Sequence, residues 1–247
     1  MVCTQGRRTI GRLLFLLIVF AAICAACSEP PPEPLPPEVI VEQSAARMSS
    51  LEGLRFDIDR TGLPAYLDPD ETISLRKATG FYVAPDRGIA EVRVIAPGFV
   101  TDVSVVSIRE IQWETNLLTN EWNQLPPNWG FNPAVLFDSE IGIHAILLAD
   151  LTDQKLIGTE KLDNGSDTIL YVLEGKLTGD RISQMSYGLI GPEDMDVRLW
   201  VAPETFELHR VIITDPNREG EESTVWQVDF SDFGRIVNIE PPPVKDE

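Results

Sequence analysis

The chain has 247 residues and a formal net charge of −19, with 39 acidic against 20 basic side chains. That excess excludes the usual nucleic-acid binders, which need Lys and Arg to neutralise phosphates, and it is repelled by anionic lipid headgroups over a Debye length. The three cysteines, Cys3, Cys24 and Cys27, all lie within the first 27 residues, so no disulfide framework supports the rest, which must be stable through its own core.

The N-terminus has the three parts of a secretory signal. Arg7, Arg8 and Arg12 form the positive end, an apolar run extends from Leu13 to Ile23, and Ala25-Ala26 precede Cys27. The run is short for a spanning helix, which needs ~20 residues to cross ~30 Å of hydrocarbon, and it leads into proline-rich chain without a positive flank. A retained transmembrane helix is the alternative. Cys24-Ala25-Ala26-Cys27 resembles the lipobox of bacterial lipoproteins, departing at Cys24, where that pattern has Leu, Val or Ile. The expectation is a cleaved signal over residues 1–26 and lipid attachment at Cys27, with a membrane anchor on the extracytoplasmic face. Two or more acyl chains, at ~0.8 kcal/mol per buried methylene, make such an anchor durable. Cleavage removes three arginines and no acids, taking the net charge from −19 to −22.

Six of the ten residues Ser28–Pro37 are proline, a composition that favours extended polyproline geometry. Residues 27–37 read as a tether, or alternatively as a docking motif, and residues 38–247 as one domain large enough to bury a real core. A helix opens it: Val39-Ile40-Val41, Ala45, Met48 and Leu51 recur at helical spacing before Gly53.

From Leu54 the dominant period is two. Leu54, Phe56 and Ile58 alternate with Arg55, Asp57 and Asp59; Ala90, Val92 and Val94 with Glu91, Arg93 and Ile95; Val103 and Val105 with Asp102 and Ser104. Ile111 and Trp113 are set against Glu110, Gln112 and Glu114. Ile169, Tyr171 and Leu173 follow, then Met195, Val197, Leu199 and Val201 against Asp196, Arg198 and Trp200. Such strands are apolar on one face and wet on the other, as in an antiparallel sheet. Asn164-Gly165 marks a hairpin, and Pro85–Gly88, Ala96-Pro97-Gly98 and Pro216–Gly220 mark other turns. Roughly ten strands in one meander must curl or close.

The main interruption is Asn128–Asp150. Asp138 or Ser139 can cap a helix carrying Ile141, Ile143, Ile146, Leu147 and Leu148, apolar over more than one narrow stripe. A shorter helix is expected from Asp180 to Tyr187. The fold class is therefore α+β: a large curved antiparallel sheet, a half-barrel, with a few helices on its concave face.

No chemistry of catalysis is legible. His144, on the apolar helix, reads as a core residue, and His209 as a surface one. Gly-x-Ser-x-Gly, His-Glu-x-x-His and phosphate-loop motifs are absent from the sequence. The acid pairs Asp57 and Asp59, Asp68 with Asp70 and Glu71, and Asp194 and Asp196 read as solvated charge. Asp163–Asp167 could be a calcium loop, but hairpin chemistry already explains it. Neither an enzyme, a metal site nor a cofactor is expected.

Together, the lipobox, the linker, the opening helix and the long meander resemble the mycobacterial LppX/LprA/LprF/LprG lipoprotein family. Ile111-Gln112-Trp113 followed by Glu121–Pro126 is similar to that family's adjacent strands ending in tryptophan and proline. Leu199–Thr205 leading into His209-Arg210-Val211 is similar to its late strand–turn–strand, shared with lipoprotein carriers of the LolA type. The similarity spans roughly residues 38–240. It implies a half-barrel enclosing an apolar cavity for acyl chains, and a role in moving or presenting lipids and glycolipids in the cell envelope, with an export or transporter protein as a further partner. Each sheltered methylene contributes ~0.8 kcal/mol. Strand parity places Val92, Val94, Val103, Val105, Tyr171, Leu173, Val197 and Leu199 on the inner face, with Ile143, Ile146 and Leu147 on the covering helix. Ordinary core packing would use the same residues. An envelope sensor or interaction protein on this half-barrel, without lipid cargo, is the alternative function.

Overall fold

The computed structural model describes residues 35–126, 132–216 and 222–244. The expected signal, Cys27, most of the tether, residues 128–131 of the interruption and residues 217–220 of the expected turn lie outside the described residues.

Helix α1 (Pro37–Ser49) begins on proline, which the first turn tolerates because its N–H groups have no intrahelical acceptor. Ile40, Val41, Ala45 and Met48 form its buried stripe. Seven strands follow: β1 (Gly53–Thr61), β2 (Ala65–Tyr66), β3 (Ser74–Val83), β4 (Arg87–Ala96), β5 (Phe99–Ile108), β6 (Ile111–Thr115) and β7 (Trp122–Gln124). A 3-10 helix (Pro133–Phe137) and α2 (Ile143–Ala149) lead to β8 (Leu151–Lys161) and β9 (Ile169–Leu177). The chain continues through α3 (Gly179–Met185), β10 (Met195–Val201), β11 (Leu208–Asp215) and β12 (Thr224–Ser231).

The twelve described strands make one open antiparallel sheet in the order β7-β6-β5-β4-β3-β1-β12-β11-β10-β9-β8, with β2 paired to β3 off this path. The first and twelfth strands pair in its middle, from Arg55↔Ser231 to Thr61↔Val225. The chain therefore starts at the centre and meanders to one edge, crosses to the opposite edge, and meanders back. That crossing carries the 3-10 helix, which packs on β3, β4 and β5, and α2, which packs on α1 and β8.

Inward residues follow the period of two. Leu54, Phe56 and Ile58 are buried on β1 and Val92 and Val94 on β4, in one cluster with Ile40 of α1 and Ile182 of α3. Arg60 continues the inward row of β1 and is 4% exposed. Its Nε donates to Leu75 O at 2.7 Å, and its Nη1 donates to Gly62 O at 3.1 Å and also to Leu63 O. Desolvation, with the neighbouring Arg76 charge, lowers its pKa; carbonyl oxygens accept its hydrogen bonds, and the Asp59 charge partly offsets the burial.

The outer face is less uniformly wet than the alternation predicts. Trp200 is buried with Leu162, Leu170, Val172 and Ala202 in an outer cluster, its Nε1 donating to Glu160 at 3.1 Å. Trp113 does not share a face with the apolar inner row. It pairs with Val106 and buries against Ile239, while Ile111 is exposed. The cause is the segment after β12, whose Val237 and Ile239 cover this part of the sheet. Arg87 Nη1 holds it by donating to Ile239 O at 2.7 Å.

Helical expectations shift by a few residues. Asp138 Oδ1 accepts from the N–H groups of Glu140 and Ile141, at 2.8 and 3.1 Å, but this closes a turn, and α2 begins only after Gly142. Leu148 of α2 is 58% exposed, so that helix buries one side, through Ile146 and Leu147.

Phe56→Ala is expected to lower unfolding free energy by about 3–5 kcal/mol, because it opens a cavity at a fully enclosed position. Arg60→Leu should lower it by about 1–3 kcal/mol by leaving carbonyls without donors. Urea denaturation measures both.

Candidate functional site

Two spaces lie on the inner face of the sheet. The central one, about 60 Å³, is lined by apolar side chains alone among the described residues. Leu136 of the 3-10 helix, Ile143, Ile146 and Leu147 of α2, and Ile182 and Met185 of α3 form its cover. Its floor comes from Leu151, Leu177, Val197, Leu199, Val211, Ile213, Val228 and Phe230 on β8–β12. Arg181 Nε donates to Asp150 Oδ2 at 2.6 Å, tying α3 to the end of α2. Phe137 stacks on Tyr82 with centroids 4.1 Å apart and meets Phe230 edge-on at 6.3 Å.

The second, lateral space is about 240 Å³. Val92, Val94, Val103 and Val105 form its floor, and Leu67, Ile73, Leu117 and Leu125 its sides. Three polar residues, Asp68, Glu114 and Thr115, also line it. Asp68 is already engaged: its carboxylate accepts from Thr72 Oγ1 at 2.6 Å and Ile73 N at 2.6 Å. These bonds, the Thr72 side chain's first, hold its pKa below the ordinary value. Glu114 lies beside Val105 in the β5–β6 register. Desolvation raises its pKa above the ordinary 4.5.

Of the residues expected on the cavity, Ile143, Ile146, Leu147, Val197 and Leu199 come together at the central space. Val92, Val94, Val103 and Val105 gather at the lateral one. Leu173 is enclosed in the main core and Tyr171 packs partly against it, lining neither space. Sequence reasoning missed Ile182, Met185, Val211, Ile213, Val228 and Phe230. The β11 and β12 pairs repeat at period two and Ile182 and Met185 at period three, so the signal was present. Placing Trp113 inward by parity puts its neighbour Glu114 on the wet face, whereas Glu114 lines the lateral space.

His144 is half-buried on α2. His209 is half-buried rather than on the surface, edge-on to Phe233 with centroids 5.0 Å apart, and burial lowers its pKa. Among the described residues, no group of three His, Cys, Asp or Glu side chains could hold a metal ion. No described helix is long and apolar enough to cross a membrane.

A family model described as LppX_LprAFG lipoprotein matches residues 36–239. The chain belongs to the LppX_LprAFG lipoprotein family. Its fold is similar to the crystal structure of LprF from Mycobacterium bovis, with TM-score 0.65 and 15% identity, covering 88% of this chain and 100% of that one. LppX from Mycobacterium tuberculosis is similar with TM-score 0.57 and 16% identity, covering 82% of this chain and 97% of that one. No curated protein matches by sequence. Identities this low carry the shared half-barrel of the LppX_LprAFG family and nothing finer.

A glutamate with a raised pKa binds more protons in the folded chain than in the unfolded one, so its contribution to stability falls as pH rises through and above 4.5. Glu114→Gln should lack this fall. The variant should gain stability relative to the parent as pH rises, a difference that denaturation at a series of pH values would reveal.

Proposed function

We propose that the chain is a membrane-anchored extracytoplasmic lipoprotein that binds acyl chains of a lipid or glycolipid in its apolar interior and carries or presents them in the cell envelope. In this reading, residues 1–26 are a cleaved signal, Cys27 carries the lipid, residues 27–37 are the tether and residues 38–247 the binding domain. Nucleic acid is not a partner in this reading, because the acidic excess opposes phosphates. An export or transporter protein would supply or receive the cargo.

The observation that carries the reading is the wholly apolar space between the helices and β8–β12. Protein interiors close-pack, with few voids larger than a water, whereas a single water needs about 10–15 Å³ of such space. The central space exceeds that several times over and, among the described residues, offers no polar group, so hydrocarbon suits it better than water. Membership of a lipoprotein family agrees. No catalytic step is proposed.

Functional ligand pockets occupy roughly 300–1,000 Å³, so the central space must widen to admit a chain. The cover is suited to this, because α2 and α3 have seven residues each and are linked by the Arg181–Asp150 pair. The same small volume favours the second reading, an envelope sensor or interaction protein without cargo.

Protein purified from a lipid-containing host is expected to yield extractable lipid by mass spectrometry. Val197→Phe, which fills the central space, should reduce that yield about tenfold, on the order of 1.4 kcal/mol, while the chain stays folded by circular dichroism. A folded parent protein with clean spectra and one stable protein partner would establish the second reading instead. Cys27→Ala should move the full-length protein from the membrane to the soluble fraction.

A further inference from the structure

We propose that a cleft at one end of the sheet docks an arginine side chain presented by a partner protein. It shares no lining residue with the central or the lateral space, and the proposal does not depend on lipid cargo. The cleft measures about 570 Å³, within the range of roughly 300–1,000 Å³ typical of functional pockets. Pro85 and Asp86 of the β3–β4 turn, Arg109 and Glu110 of the β5–β6 turn, and Ala134 and Val135 of the 3-10 helix form its walls. Gln112 of β6, Asp138 and Tyr187, which follows α3, also line it.

Gln112 is the observation that points to a ligand. It is 4% exposed, and its Oε1 is buried without a hydrogen-bond partner. Ser107, opposite it in the β5–β6 register, also has an unpartnered Oγ, so the two do not satisfy each other. A buried acceptor left in this state costs free energy until a donor reaches it. Asp86, Glu110 and Asp138 surround it with negative charge, against Arg109 alone. Asp86 meets Arg109 Nε at 3.6 Å, but that side chain is 81% exposed, and such a pair contributes little. Glu110 makes no hydrogen bond or ion pair among the described residues. Beneath them the Tyr82 hydroxyl, donating to Pro85 O at 2.9 Å, is pushed up to about 12, by burial first and then by Asp86 and Asp138. The three carboxylates do not converge as a metal site. A planar fork of donors suits this spread of acceptors, since guanidinium bonds to carboxylate are charge-assisted and guanidinium sheds water more readily than ammonium. Pro85, Ala134 and Val135 offer surface to its aliphatic stem, and the Tyr187 ring offers a face to the cation. The cleft exceeds a single side chain, leaving room for the flanking residues of a polypeptide, and the net charge of −19 attracts a basic one.

The test uses the full chain in neutral detergent at neutral pH, with salt near 0.15 M so that charges more than about 8 Å apart are largely screened. Three fluorescein-labelled octapeptides of glycine and serine carry two arginines, two lysines or two citrullines, and anisotropy reads their binding. The parent should bind the arginine peptide about tenfold more tightly than the citrulline one and about threefold more tightly than the lysine one. Glu110→Lys, at an exposed turn, should weaken the arginine peptide about tenfold, and Gln112→Leu about threefold. Asp70→Lys makes the same charge change at the opposite end of the sheet and should leave binding unchanged. Circular dichroism reports folding, and should Gln112→Leu fail to fold, the two lysine variants decide. Absence of binding, equal binding of the arginine peptide and either other, or an unchanged affinity in Glu110→Lys or in folded Gln112→Leu overturns the proposal. Equal weakening by Asp70→Lys overturns it too, as attraction to the whole acidic surface, and so does spermidine binding as tightly as the arginine peptide.

Discussion

The pairing of β1 with β12 organises the molecule. Joining the first and last strands at the centre of the sheet leaves β7 and β8 as its two edges, so the chain between them has to span the inner face. A backbone making that passage buries its polar groups and must satisfy them internally. Short helices meet that need, and the 3-10 helix and α2 lie on this connection. The helical cover and the spaces beneath it thus follow from where two strands meet.

The edges themselves are managed. The β7 strand has three residues, too few to template a partner. The longer β8 strand is mostly exposed, and its register with β9 shifts twice, between Thr152 and Lys155 and between Leu156 and Gly158. Irregularity and charge at an edge discourage pairing with another chain.

Local alternation made most of the sheet legible. Leu54, Phe56, Val92, Val94, Val197 and Leu199 face inward because each strand pattern reports its own two faces. The sequence was less informative wherever a distant segment decided the outcome. Trp113 is as apolar as an inward residue, and its true face depends on Ile239, more than a hundred positions away. Trp200 is similar, buried outside through β9 and the strand end at Leu162. Glu114 was hidden by the same error of face. Arg60, polar in an apolar row, gave no sign that carbonyl groups of the following loop and of β3 would receive it.

The seam at the centre also has a temporal meaning. Contacts between β1 and β12 span nearly the whole domain, for example Phe56 with Phe230, and closing so large a loop precedes any reward from the contacts it permits. Each half-sheet can begin to form as a local meander, yet neither half gains its inner neighbour until synthesis reaches the last strand. A polypeptide built in this way stays unfinished while it emerges, and its two half-sheets keep an open seam until the last strand is made.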